Sequence, residues 1–198
     1  MEISYLGSGA VRLGGTKLAV VCGPEPVKVT AGIVALTRPA PTADFPNEVM
    51  VIDGPGEYEV GGTLITAVAT GSGESSDRPL PTSYVFSAED LAVAYLAGSD
   101  KALTNAELDA LGQVDVLVLP IGGTNGFEPA TAAAVIAQLE PKYIIPVPTD
   151  RESTDWADHF LKEVGASPQK QVKLKLSTRD LPEEPVVVLL GEPEPSKS

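Results

Sequence analysis

The feature that most constrains this chain is a change of rhythm near its middle. Over the first third, short apolar runs recur at residues 3–6, 10–13, 17–21, 33–36, 49–52 and 64–68, each bounded by Gly, Pro, Asn or Asp. Those residues reach turn conformations or interrupt a ladder, so the runs read as short strands. The pattern predicts an antiparallel meander. Within it Gly14-Gly15 is a two-residue hairpin candidate flanked by Val11 and Lys17, because Gly reaches the positive φ angles of primed turns. The turn-rich stretch 71–81 (GSGESSDRPLP) then reads as an exposed loop between two halves of one domain.

Beyond that loop, strands at 83–87 and 91–96 give way to helices alternating with apolar runs. Thr104 and Glu107 have the spacing at which a hydroxyl and a carboxylate satisfy each other's orphan amides, which predicts a helix over 104–111. Residues 114–120 are almost unbroken apolar sequence, as a strand covered on both faces requires. A helix over 129–140 with Pro129 in its first turn and a further strand at 143–146 complete a βαβ crossover. Trp156, Phe160 and Val164 recur every four residues on a third helix, 154–165, which Gly165 ends and which should cover a sheet. Strands at 172–176 and 186–190 close a single domain over 1–190, and 191–198 (GEPEPSKS) has the composition of a disordered tail. An antiparallel half followed by strands with covering helices predicts an α/β fold of two packed sheets with helices outside.

Composition narrows the function. At 198 residues the chain suits one domain that buries roughly 70% of its unfolded surface. Only 5% of its residues are aromatic, so that core has to be aliphatic. Its net charge of -13 repels phosphate backbones and anionic headgroups, which argues against nucleic-acid and membrane partners. One Cys rules out an intramolecular disulfide and any Cys-rich metal cluster, and no run reaches the ~18 apolar residues of a membrane span. With no signal-like N-terminal pattern, the expected compartment is the cytoplasm.

Four segments carry a family resemblance: 1–13 (MEISYLGSGAVRL), 51–62 (VIDGPGEYEVGG), 114–123 (VDVLVLPIGG) and 141–148 (PKYIIPVP). In order and spacing they resemble the metallo-β-lactamase superfamily, and within it the small Zn-dependent-hydrolase-like group. The resemblance implies an αββα four-layer sandwich over about residues 1–190. It also implies a His-x-His-x-Asp-His metal loop after the strand GIVALT, because imidazoles and a carboxylate together hold metal ions and activate water. Here Arg38, Ala40 and Ala43 stand at the three His positions and Thr42 at the Asp position. Gly98 stands where the family has a bridging Asp, Pro148 where it has a late His, and Ser8 where its opening Gly-His has His. None of these is a normal metal ligand, and Arg38 is a permanent cation. The expected product is a pseudoenzyme with a vestigial cleft and no cofactor.

Other residues offer weaker chemistry. Asp44, Asp100 and Asp150 each lie two residues past a family ligand position, so an oxygen-only site for a divalent metal ion is the alternative reading, with hydrolase activity attached. Acidic loop residues in a chain with 27 Asp and Glu are more commonly solvated. Glu57 and Glu59 alternate onto one face of a strand, the ordinary pattern of an exposed edge. His159 reads as an exposed helix-face residue and Cys22 as a buried structural thiol. The loop around Gly123, Thr124 and Asn125 follows a strand and precedes a helix, a place for the rim of the inherited cleft. Two classes remain: a non-catalytic domain binding a small ligand or protein partner, a second copy of the chain included, and a hydrolase with an unconventional carboxylate site.

Overall fold

The computed structural model describes residues 1–16, 18–24, 31–39, 49–71, 80–123, 125–149 and 155–191. Two mixed sheets pack face to face. The six-stranded sheet contains β1 (Glu2–Gly7), β2 (Ala10–Gly14), β3 (Ala19–Gly23), β4 (Ile33–Leu36), β5 (Met50–Ile52) and β13 (Lys173–Lys175), in the order β13-β1-β2-β3-β4-β5. The eight-stranded sheet contains β6 (Gly56–Val60), β7 (Thr63–Ala69), β8 (Thr82–Ala88), β9 (Leu91–Tyr95), β10 (Val116–Ile121), β11 (Tyr143–Pro148), β12 (Gln169–Gln171) and β14 (Val186–Leu190), in the order β12-β14-β11-β10-β9-β8-β7-β6. Between them lies an aliphatic core, with Ile3, Val11, Val20 and Ile33 meeting Ile65, Val93, Val118 and Ile145. The Tyr84 and Phe86 rings stack within it at 5.8 Å.

A second core covers the outer face of the larger sheet, where α1 (Asn105–Leu111), α2 (Pro129–Leu139) and α3 (Trp156–Val164) pack on Val85, Ala94, Leu117 and Ile144. The Thr104 Oγ1 accepts the Glu107 amide at 3.3 Å while the Glu107 carboxylate accepts the Thr104 amide at 2.6 Å, so the reciprocal cap forms as its spacing predicts. Phe160 is wholly buried, with Trp156 and Val164 flanking it, and Gly165 ends α3 in the left-handed conformation. The crossover β10-α2-β11 is parallel, in register Val116 to Tyr143. No helix among the described residues is long and apolar enough to cross a membrane.

Two expectations need correction. The first third is not an antiparallel meander throughout: β3 runs parallel to β4 and β4 parallel to β5. All four residues of β4 are buried, the unbroken apolar pattern of a parallel strand covered on both faces, which a run of four residues among short turn-bounded neighbours displays only faintly. Nor do Gly14 and Gly15 form a two-residue turn. Gly14 stays in the ladder opposite Ala19, neither glycine has a positive φ, and the Gly15 amide donates to the Leu18 carbonyl at 2.9 Å across a four-residue connection. β3 accordingly begins at Ala19, and Lys17 lies outside the described residues. So do most of the 71–81 loop and the 192–198 tail.

Tight two-residue turns stand elsewhere, and Val60 pairs with Thr63 across Gly61 and Gly62, at φ of 59° and 81°. Ala88 and Leu91 pair across Glu89 and Asp90, which take φ of 55° and 58°, a primed turn made without glycine. The Glu89 carboxylate then reaches the other sheet, accepting the Thr16 amide (2.6 Å), the Thr16 hydroxyl (2.7 Å) and the Met1 amine (2.7 Å). The amine first, then Thr16, hold this carboxyl down at about 2.

Candidate functional site

The end of the sandwich opposite Glu89 is built from strand termini, and contacts between them close into a ring. Gly9, in the turn after β1, sits where an added Cβ would lie 3.2 Å from the Thr149 methyl and 3.4 Å from Pro24. Thr149 follows β11 and donates its hydroxyl to the Gly122 carbonyl at the end of β10. The loop after Gly122 folds back to Gly98, beyond β9. The neighbouring Ser99 hydroxyl and Pro81 lie within 3.6 Å of an added Gly71 Cβ. Thr82 donates its amide to the Thr37 carbonyl (2.8 Å), and the Thr37 amide donates to Gly23 (3.1 Å), which returns the ring to Pro24.

Among the candidate positions, Gly98 and Asn125 meet directly, while Ser8, Arg38, Gly123 and Pro148 are chain neighbours of the ring residues Gly9, Thr37, Gly122 and Thr149. Ser8, half-buried, has φ of 48° between Gly7 and Gly9, both also at positive φ. Arg38 is half-buried just past β4, and Asp100 is exposed two residues beyond Gly98. Ala40, Thr42, Ala43, Asp44, Thr124 and Asp150 lie outside the described residues. Glu57 and Glu59 stand away from the rim, exposed on one face of β6, and His159 is exposed on α3. Among the described residues, no three His, Cys, Asp or Glu side chains are placed to hold a metal ion.

Beneath the rim the polar groups are spent on the scaffold. Three tyrosines bond main-chain oxygens across the sandwich: Tyr5 of β1 to Pro148 (2.8 Å), Tyr95 of β9 to Gly9 (2.7 Å), and Tyr84 of β8 to both Leu36 (2.6 Å) and Ile52 (3.1 Å). Burial pushes the Tyr84 and Tyr95 phenols and the Cys22 thiol above their ordinary ranges, so all three stay neutral and none is an activated nucleophile. The wholly buried Ser83 accepts the Ala97 amide (2.9 Å) and shares a 2.6 Å hydrogen bond with Thr70. No motif in the sequence marks these hydroxyls. Alternation was their available signal, since Tyr5, Tyr84 and Tyr95 each occupy an inward position of a strand.

At Gly98 the rim is closed by main chain. A Cβ built on this residue would lie 2.6 Å from the Asn125 carbonyl carbon, closer still to its oxygen, and 2.9 Å from the Gly126 carbonyl carbon. Real Cβ atoms do not approach other atoms so closely, and backbone cannot swing aside as a flexible side chain does. Gly126 is itself crowded, with its own Cβ direction 2.6 Å from the Gly122 nitrogen. The loop is held at its root by the Phe127 amide to Pro120 (2.7 Å) and the Gly122 amide to Phe127 (3.1 Å).

The model of the beta-lactamase superfamily domain matches residues 2–148. The chain belongs to the beta-lactamase superfamily. Its relatives within that superfamily include a UPF0173 metal-dependent hydrolase of Nitratidesulfovibrio vulgaris, 30% identical over 138 residues that cover 67% of this chain and 52% of the relative. The chain thus spans about half the length of the curated relatives it matches. A Thermotoga maritima structure of the metallo-β-lactamase superfamily, named as a candidate Zn-dependent hydrolase, superposes with a TM-score of 0.78 at 28% identity, covering 96% of this chain and 98% of that one. A metallo hydrolase of Ignicoccus hospitalis shares the fold at a TM-score of 0.61 and 14% identity, over 97% and 95% of the two chains. The two-sheet sandwich with outer helices is therefore the metallo-β-lactamase fold.

Proposed function

We propose that this superfamily member is a non-catalytic domain that binds a ligand or protein partner and has given up the metal centre its fold implies. The observation that carries the reading is the packing at Gly98. A bridging carboxylate there would need a Cβ where the Asn125 carbonyl already stands. The donor chemistry agrees with that geometry. Pro148 has no donor atom, Arg38 brings a fixed positive charge that repels a divalent ion, and Ser8 offers a hydroxyl in place of an imidazole. The described residues of this rim do not fit a transition-metal ion.

The names of the relatives favour a second reading, metal-dependent hydrolysis through carboxylates. It requires Asp100 to converge with Asp44 and Asp150 at about 2.0–2.6 Å from one ion. Metal content of protein purified without chelators separates the two, measured against Zn²⁺, Mn²⁺, Mg²⁺ and Ca²⁺ standards. The expected result is far less than one ion per chain. Stoichiometric metal that disappears in Asp100→Ala would overturn the non-catalytic reading. The net charge of -13 disfavours nucleic acid and anionic membranes as partners, and a single buried Cys is compatible with a reducing, cytoplasmic setting.

A further inference from the structure

The strongest local departure in charge lies far from the rim in sequence. Residues 168–179 (PQKQVKLKLSTR) hold four of the chain's 14 Lys and Arg and none of its 27 Asp and Glu. Lys170, Lys173, Lys175 and Arg179 are all exposed. The run contributes β12 to the edge of the larger sheet and, after Val172, β13 to the edge of the smaller one. One side of the sandwich is therefore edged by a single basic stretch of chain, and Val172 at the crossing is 64% exposed, among the most exposed large apolar side chains described.

The backbone of β13 is half unused. Leu176 exchanges hydrogen bonds with Met1, its amide donating at 3.0 Å and its carbonyl accepting the Met1 amine at 2.9 Å. In an antiparallel ladder bonded pairs alternate, so Leu174 faces Ile3 in the next bonded pair. The amides and carbonyls of Lys173 and Lys175 therefore point outward, where no strand pairs among the described residues. Their side chains share one carboxylate, Glu2, at 3.1 Å and 3.6 Å. Asp180 is turned to the Ser177 amide and hydroxyl (2.7 Å and 2.8 Å).

We infer that the β13 edge is a docking strand for an acidic, extended segment of a partner protein, added to the smaller sheet by main-chain pairing at Lys173 and Lys175. Lysines on an edge strand repel a second copy of the same edge and so discourage self-association. The same charges attract a strand of opposite sign, and backbone pairing supplies affinity while side chains supply selectivity. A long polyanion would extend past the basic run onto the acidic remainder of the surface. A short acidic strand stays on the run, since fields fade within about 8 Å at physiological salt. This inference stands apart from the metal question, because β13 pairs with Glu2–Ser4 at the start of β1, whereas Ser8 follows its other end.

The test is fluorescence anisotropy on the full chain with a labelled peptide alternating Glu with Val. Lys173→Gln/Lys175→Gln, which keeps both amides, is expected to weaken binding by about tenfold and to flatten its salt dependence. Lys175→Pro removes an outward amide while sparing the bonds to β1, and is expected to abolish binding. Melting temperatures and circular dichroism confirm that each variant is folded. Three results would overturn the proposal: no binding by the wild type, Lys175→Pro binding as well as Lys175→Gln, or polyuridine or phosphatidylserine vesicles binding where the acidic peptide does not.

Discussion

Replacing Gly98 by Ala probes the closed rim with one carbon atom. That atom would lie 2.6 Å and 2.9 Å from two main-chain carbons and nearer still to the Asn125 oxygen, where ordinary contact begins near 3.4 Å. Either β9 or the 122–126 loop must yield by close to an ångström. The loop cannot do so freely, because the Phe127 to Pro120 and Gly122 to Phe127 hydrogen bonds fix its root and Gly126 is already packed on Gly122. Overpacking of this kind costs about 1–3 kcal/mol, and loosening one of those hydrogen bonds adds about 1 kcal/mol. A total of about 3 kcal/mol lowers the melting temperature of a domain this size by roughly 6–12 °C. Chemical denaturation gives the free energy, and differential scanning fluorimetry with and without Zn²⁺ gives the shift. Gly98→Asp, which restores a carboxylate, is expected to be at least as unstable and to gain nothing from the metal. An unchanged melting temperature for Gly98→Ala, or a Gly98→Asp protein stabilised by Zn²⁺, would refute the argument that main chain has taken the place of a ligand.

Tyr84→Phe leaves the Leu36 and Ile52 carbonyls without their shared donor and should cost about 1–3 kcal/mol in urea unfolding, with the slope unchanged. Phe160→Ala should cost about 3–5 kcal/mol, the largest loss among single helix substitutions, because its ring is wholly buried between α3 and the larger sheet. The Glu89 carboxyl is held at about 2 against an ordinary 4.5, so its stabilisation is complete above pH 4.5 and disappears as pH falls towards 2. Solvent screening reduces that contribution to about 1 kcal/mol, and Glu89→Gln should remove this component of the acid-unfolding profile while leaving the rim intact. Chelation is expected to leave the melting temperature of the wild-type protein unchanged, and a fall after dialysis against EDTA would contradict the metal-free reading.

Local signals in the sequence carried the helices well. Thr104 with Glu107, and Trp156 with Phe160 and Val164, are arrangements whose meaning is complete within a turn or two of chain. Strand direction was not legible in this way. The apolar runs at 33–36 and 49–52 are buried on both faces or short, and parallel or antiparallel pairing depends on where the intervening chain goes. β12 was also invisible, since Gln169-Lys170-Gln171 has no apolar residue to alternate and exists by pairing with β14. The contact that gives Gly98 its significance joins it to Asn125 through tertiary packing. Spacing along the chain cannot reveal that a carbonyl occupies the space beside a glycine.

The three tyrosine bolts beneath the rim grip main-chain oxygens, and every amino acid supplies one. Whatever side chain stands at Ser8, Arg38 or Pro148, the carbonyls of Gly9, Leu36 and Pro148 remain available to the phenols below. The tyrosine bonds are thus indifferent to which side chains stand at Ser8, Arg38 or Pro148. A chain built this way can exchange surface chemistry at that end by drift, one position at a time, wherever neither close packing, as at Gly98, nor a positive φ, as at Ser8, restricts the residue.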